Sequence, residues 1–281
     1  MSLLKKIFDF FLFTSIYISL CSVLMAWQTN HLLHLPYSYD YFWFVFFASM
    51  CSYNFHWFLT PVSHESKDRV RWTQEHKNAH LLLYFAGVIG SVVFFVKLHH
   101  HWFALLFATF ITFLYSAPKI PLPYFRFLKQ VAVGKTIFLA AVWTYVTAIL
   151  PIFVANVGHF DHTMKLFAAS RFFLIYAVCI LFDYRDKEDD RDEGIRSMIT
   201  YLDERGIDRL FFFSLIAFTG FTLSLLFAGF RPPVVFILLI PGCVLAALYS
   251  YAKTHFSDYL YYFVLDGIMM LSALLLLILS F

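Results

Sequence analysis

The sequence predicts an all-α integral membrane protein, a single transmembrane domain of nine helices over residues 1–281. Three observations predict it. The chain is 61% hydrophobic and only 14% charged, with a mean hydropathy of +0.72, where a soluble domain averages about 45–50% apolar and about 25% charged residues. Apolar runs of about the 20 residues needed to cross the hydrocarbon recur along it. Its basic residues crowd alternate loops, the asymmetry that orients a multi-pass protein.

The elements follow in order. Lys5 and Lys6 precede an apolar run from Ile7 to Ala26, and no small-x-small cleavage pattern stands before Gln28. The run is expected to be a retained first helix over residues 8–28, not a removed leader. Segments at 41–62, 79–97 and 101–116 give the next three, the last short and entered through a tight turn at Lys97 to His101. Segments at 134–155, 165–183, 210–229, 233–251 and 258–280 complete the nine. Pro61, Pro118, Pro151 and Pro232 lie at or near the ends, where a missing N–H costs least. Cys21, Cys51, Cys179 and Cys243 all lie inside apolar segments without a C-x-x-C pair, and read as buried inert thiols. No soluble domain interrupts the spans. No basic tract alternates with aromatics, so no nucleic-acid partner is expected.

Nine spans put the termini on opposite faces. One face then carries Lys5, Lys6, Lys67, Arg69, Arg71, Lys77, Lys119, Arg126, Lys129, Lys135, Arg185, Lys187, Arg191, Arg196, Arg205, Arg209 and Lys253, which is 17 of the 21 Lys and Arg. The other carries Lys97, Lys165, Arg171 and Arg231. The positive-inside rule makes the N-terminus cytoplasmic and the C-terminus external, with a bacterial inner membrane favoured over an organelle.

Chemistry concentrates after the sixth span, in Leu181-Phe-Asp-Tyr-Arg-Asp-Lys-Glu-Asp-Asp-Arg-Asp-Glu-Gly-Ile-Arg-Ser197. Asp183, Asp186 and Asp190 are spaced i, i+3, i+7. A helix continuing past the membrane puts all three carboxylates on one face. Like charges so placed repel, and a helix C-terminus disfavours anions. The arrangement makes sense if a cation collects there. Hard oxygen donors suit Mg²⁺, which takes one or two carboxylates plus substrate phosphates. The interleaved Arg185, Lys187, Arg191 and Arg196 suit phosphate oxygens. The competing reading is a solvated loop, balanced in sign, that keeps the helix end in water.

The pattern Asp183-x-Arg185-Asp186-x-x-x-Asp190-x-x-x-Gly194-Ile195-Arg196-Ser197 resembles the second aspartate-rich motif of the UbiA superfamily of intramembrane prenyltransferases. Tyr115-Ser116-Ala117-Pro118-Lys119 resembles the family's end of helix four, and Asp266-Gly267 a recurring pair in helix nine. The resemblance implies a nine-helix bundle with Asp-rich motifs after helices two and six on the cytoplasmic side. It implies an enzyme that binds an isoprenoid diphosphate through Mg²⁺ and moves the prenyl group to a small or lipid acceptor. Asp183, Asp186 and Asp190 are then the metal-holding, catalytic carboxylates. Lys119, Arg185 and Arg196 meet phosphate, and Asn54 lines the same mouth. Abundant aromatic rings suit an apolar chamber for an allylic cation, although any single ring reads first as packing.

The first family motif departs from the pattern. Asn54 is kept, but Phe55, Phe58 and Val62 stand where Asp is expected. Glu65 and Asp68 come later, and Arg69, Arg71 and Lys77 follow as charges able to neutralise phosphate without a metal. Three readings follow: transfer with one metal and basic residues, a different reaction on an isoprenoid or lipid phosphate, or a non-catalytic relative that binds such a lipid. A separate reading comes from the outer-face histidines, His31, His34, His99 to His101, His159 and His162, which suggest metal handling. Interfacial polarity is the simpler account of them. Arg171 and Asp266 are ionisable residues within spans, and so candidates for function.

Overall fold

The computed structural model describes residues 3–60, 68–117, 120, 134–192 and 197–279. All elements among them are helical: α1 (Leu3–Phe13), α2 (Ile16–Leu32), α3 (Tyr39–Phe58), α4 (Asp68–Glu75), α5 (Lys77–Lys97), α6 (Trp102–Ser116), α7 (Lys135–Val154), α8 (His162–Arg185), α9 (Lys187–Asp192), α10 (Met198–Tyr201), α11 (Glu204–Phe227), α12 (Pro232–Ala252) and α13 (Leu260–Leu279). Each expected apolar segment falls on helix. Six helices, α5, α7, α8, α11, α12 and α13, are long and apolar enough to cross a membrane, and the bent pair α1–α2 makes a seventh. The expected nine spans are therefore not all supported by length and composition. At 15 residues, α6 reaches only about 22 Å, short of a hydrocarbon core of about 30 Å. Helix α3 is long enough but carries Ser49, Ser52, Asn54 and His56.

Local chemistry sets the helix starts. The side chains of Ser38, Asp161, Ser197 and Asp203 each accept a hydrogen bond from a backbone N–H three residues on, the N-cap arrangement. Pro232 opens α12, where its missing N–H is no loss. The first span is not one straight helix. It bends by 57° between α1 and α2, at Ser15, whose φ of 67° lies in the left-handed region that non-glycine residues seldom occupy.

Two helices contain a widened π turn, and in both a neighbour uses a carbonyl of that turn. In α7 the turn spans Tyr145–Ile149, where Tyr41 donates to the Val146 carbonyl at 2.5 Å and Thr29 to that of Thr147 at 2.6 Å. In α13 it spans Leu260–Leu265, where Tyr17 donates to the Phe263 carbonyl at 2.8 Å. Side chains take over carbonyls that the altered ladder leaves free.

Helix α8 is the axis of the bundle, with Leu174, Ile175, Ala177, Val178, Ile180 and Leu181 all essentially inaccessible. Helix α3 packs closely on α5 through Gly87 and Gly90, which let the backbones approach. Leu82, Ile216, Phe227 and Phe236 are among the exposed apolar side chains on the outer faces, as lipid contact requires. Cys21 and Cys179 are buried as expected, but Cys51 is only partly covered and Cys243 is exposed on α12.

Candidate functional site

Polar side chains converge at the end of the bundle where α3 and α8 finish and α7 and α13 begin. Helix α8 stops at Arg185, with Asp186 as its C-cap, and α9 restarts one residue later. That break separates the three aspartates, so they do not stack along one helical face. Asp183 and Asp190 instead meet at Lys135, the first residue of α7. The Lys135 Nζ lies 2.9 and 3.1 Å from the Asp190 oxygens and 3.7 Å from Asp183. The Thr136 hydroxyl donates to the other Asp183 oxygen. Both carboxylates are buried. Burial pushes Asp190 up to about 6, with Lys135 acting in the opposite direction. Asp186 turns away to Arg185, accepting from its Nε at 2.8 Å and Nη2 at 3.3 Å.

A second group adjoins through Arg185. Its Nη2 donates to the Tyr262 hydroxyl at 2.8 Å, and its Nη1 lies 3.9 Å from the Asp258 carboxylate. On the same Tyr262 ring rests Arg69, 4.2 Å from the centroid, with Trp57 at 4.1 Å. The Arg69 N–H donates to Asp258 at 2.7 Å and its Nη2 to the Ser15 hydroxyl at 3.2 Å. Arg69 is 2% exposed, and burial pulls its guanidinium below the usual arginine range. The left-handed Ser15 thus faces the guanidinium that α4 delivers.

Beside these charges lies a cavity of about 380 Å³ between α2, α3, α5, α6 and α7. Its wall is mostly apolar and aromatic, with Phe44, Tyr53, Phe55, Tyr84, Phe113 and Trp143 among the lining residues. Leu139, Val142, Trp143 and Val146 of α7 line it, and Lys135 begins the same i, i+4, i+7, i+11 face. The face therefore runs from an ammonium paired with carboxylates into an apolar chamber. His56 also lines the cavity, stacked on Tyr115 at 5.5 Å.

The predicted residues fare unequally. Asp183, Asp186, Asp190 and Arg185 gather at one end of the bundle. Lys119 and Arg196 lie outside the described residues, as do Val62 and Glu65. Asn54 does not line the mouth: it is wholly buried, with Nδ2 donating to the Thr14 and Met50 carbonyls and Oδ1 2.7 Å from His80 Nδ1. With both amide hydrogens committed, Oδ1 accepts, so His80 carries its proton on Nδ1. Lys135, Thr136, Ser15 and Tyr262 were not singled out by the sequence. Lys135 shows there only as one more basic residue at a helix start, whereas Arg69 stands there, with Arg71 and Lys77, as a charge able to neutralise phosphate.

The expected Mg²⁺ can be tested against these donors. Among the described residues no three His, Cys, Asp or Glu side chains converge as ligands of one ion, so the three aspartates are not a single ligand set. Asp183 and Asp190 are nonetheless bridged by an ammonium, a stand-in for a cation at that spot. Two carboxylates completed by phosphate and water are an ordinary Mg²⁺ environment. One ion fits there. Among the described residues the end of α3 offers no carboxylate: Phe55 stacks on Tyr84 at 5.6 Å in the cavity wall and Phe58 is 41% exposed. The outer-face histidines make no metal cluster among the described residues either; His31 stacks on Trp27, and the His99 and His100 rings lie 3.8 Å apart, tilted by 42°.

The UbiA prenyltransferase family model matches residues 70–259. The fold is similar to that of a solved structure, the apo form of a UbiA homolog from Aeropyrum pernix K1, with a TM-score of 0.68 and 13% identity, covering 92% of this chain and 98% of the other. No curated protein matches.

Proposed function

Because the chain belongs to the UbiA prenyltransferase family, we propose that it moves a prenyl group from an isoprenoid diphosphate to a small or lipid acceptor. One observation carries this reading. The α7 face leads from Lys135, between Asp183 and Asp190, directly into the apolar cavity. An amphiphile with an anionic head and an isoprenoid tail matches that gradient end to end.

Roles follow from the chemistry. Lys135 and Arg185 bind and orient the diphosphate, with Lys119 and Arg196 proposed as further phosphate contacts and Asn54 as a brace behind the site. The allylic C–O bond breaks with its electron pair leaving on the diphosphate. The acceptor then forms the new bond to carbon and gives up a proton. Phe55, Tyr84, Tyr115 and Trp143 present π faces to the developing carbocation and exclude water from it. His56, an imidazole on the cavity wall, accepts that proton.

Family enzymes typically use Mg²⁺. Here Asp183 and Asp190, with Asp186 beside them, would hold it, and its chemistry is stabilisation of charge on the departing diphosphate. The charge balance supports this. Among the described residues, Asp183, Asp186, Asp190 and Asp258 outnumber Lys135, Arg69 and Arg185. A diphosphate therefore meets net negative charge unless a divalent cation accompanies it. The site is proposed to face the cytoplasm, because it sits among the loops that carry most of the Lys and Arg.

The test is binding of radiolabelled farnesyl diphosphate to purified protein in nanodiscs. Binding is expected with Mg²⁺ and expected to vanish in chelator and in Asp183→Asn. Equal binding in chelator overturns the metal-assisted reading. A lipid phosphate retained on purification, with no diphosphate consumed for any acceptor, marks a binding-only relative instead.

A further inference from the structure

Resting on that reading, we infer that this chain binds its substrate headgroup with one divalent ion, and that the fixed guanidinium of Arg69 stands in for a second. Two Asp-rich motifs would supply ligands from two sides of the headgroup. In this chain the described residues at the end of α3 carry no carboxylate. Asn54 is turned inward to His80, and Phe55 is part of the cavity wall. The Trp57 ring packs on Arg69, 4.1 Å from the guanidinium carbon to the ring centroid, and Phe58 is exposed. None of these side chains ligates a hard cation.

What the same side gains is a cation covalently attached to the protein. Arg69 sits in the corner where the Trp57 and Tyr262 rings meet edge to face at 86°, its guanidinium carbon 4.1 and 4.2 Å from their centroids. Ser15 in its left-handed conformation receives one Nη2 hydrogen. Among the described residues no carboxylate forms an ion pair with this guanidinium. Its contact with Asp258 is made by the backbone N–H. Its Nε, fully buried, has no hydrogen-bond partner. A desolvated cation with an unused donor is costly unless an anion completes it.

The position is right for the headgroup. Tyr262 joins Arg69 to Arg185, which holds Asp186. Nη1 of Arg185 is likewise buried without a hydrogen bond. Two guanidiniums therefore flank one tyrosine ring beside the carboxylates of the second motif, both with unspent donors. A diphosphate offers several anionic oxygens to such donors, and Arg meets them in fixed geometry.

The experiment counts ions, not turnover. Full-length protein in nanodiscs is titrated with Mn²⁺ in the presence of inorganic pyrophosphate, and bound Mn²⁺ is measured by electron paramagnetic resonance. One pyrophosphate-dependent ion per chain is expected, lost in Asp183→Asn. Arg69→Gln is expected to keep that single ion while weakening pyrophosphate by about ten-fold or more, the usual effect of losing a charge-assisted contact. Arg69→Lys, which keeps the charge, guards against a folding defect and is expected to recover part of the affinity. Two ions per chain overturn the inference and leave the prenyltransferase reading standing. So does unchanged pyrophosphate affinity in both Arg69 variants. No pyrophosphate binding with any metal overturns both.

Discussion

At Lys135 an ammonium lies 2.9 Å from Asp190 and 3.7 Å from Asp183. Removing it leaves two buried carboxylates facing each other. Lys135→Met should therefore destabilise the protein by about 3 kcal/mol, as loss of one partner from a buried ion pair does. Adding Asp190→Asn should recover much of that, and thermal unfolding in detergent reads both. Asp190 also sets a pH dependence. Its folded pKa of about 6 lies above the roughly 3.9 of an unfolded aspartate, so folding favours its proton. Its contribution to stability is complete below about pH 4 and is lost as pH rises through about 6. Cation binding runs the opposite way, because the proton competes for the carboxylate. Pyrophosphate-dependent Mn²⁺ affinity should rise from pH 5 to pH 7 by about ten-fold, the range over which a group near 6 ionises, and Asp190→Asn should flatten that rise. The aspartates were legible in the sequence because their spacing is a pattern. Lys135 was not, since its partners lie 48 and 55 positions away and only packing brings them together. Asn54 misled because a step of one residue turns a helical side chain by about 100°, which separates its inward direction from the cavity-facing Phe55.

Helices were legible wherever apolar runs were long, and their breaks were not. Nothing local in Phe13-Thr14-Ser15-Ile16 demands a 57° bend. The bend accompanies Ser15's tie to Arg69, a contact 54 residues away. The π turns are equally silent in sequence, because the side chains that use their carbonyls come from other helices. Close approach is the exception that sequence marks with glycine. A Cβ at Gly87 would lie 2.7 Å from the Cys51 backbone nitrogen and 2.8 Å from its Cα, and backbone cannot yield as a side-chain tip can. Gly87→Ala should push α5 from α3 and destabilise by about 1–3 kcal/mol. Those two helices form one wall of the cavity, so farnesyl diphosphate binding should weaken with it. Gly220→Ala is the control. No atom lies within 4 Å of a Cβ there, and the better helix former should be neutral or stabilising by up to about 1 kcal/mol. Equal losses at both positions would remove the close-packing argument.

For the molecule as a whole, the number of crossings and the sidedness of the site are one question. Six helices, or seven with the bent pair, are long and apolar enough to span. Counting α3 and α6 as well gives the nine expected from the sequence. Seven and nine are both odd, so either count sends the termini to opposite faces. The seven-span count must then take α3 and α6 as buried or partial crossings. What distinguishes the faces is charge. The end of the bundle proposed to bind the headgroup contains Lys135, Arg69 and Arg185, and the segments expected on that face hold most of the chain's Lys and Arg. The opposite end has His99 to His101, His159 and Asp161 with few cations. Positive charge near span ends is retained inside, so the diphosphate end should be cytoplasmic, where a soluble or membrane-borne isoprenoid diphosphate can reach it. Arg191→Cys on exposed α9 and His159→Cys in the loop before α8, each made separately in a background carrying Cys51→Ser and Cys243→Ser, test this. A membrane-impermeant thiol reagent should label the cysteine at 159 in intact cells. It should label the cysteine at 191 only after permeabilisation. Labelling of both from one side would contradict any odd number of crossings between the ends of α8. The reversed pattern would place the carboxylates outside, and would separate the site from the compartment proposed to supply its substrate.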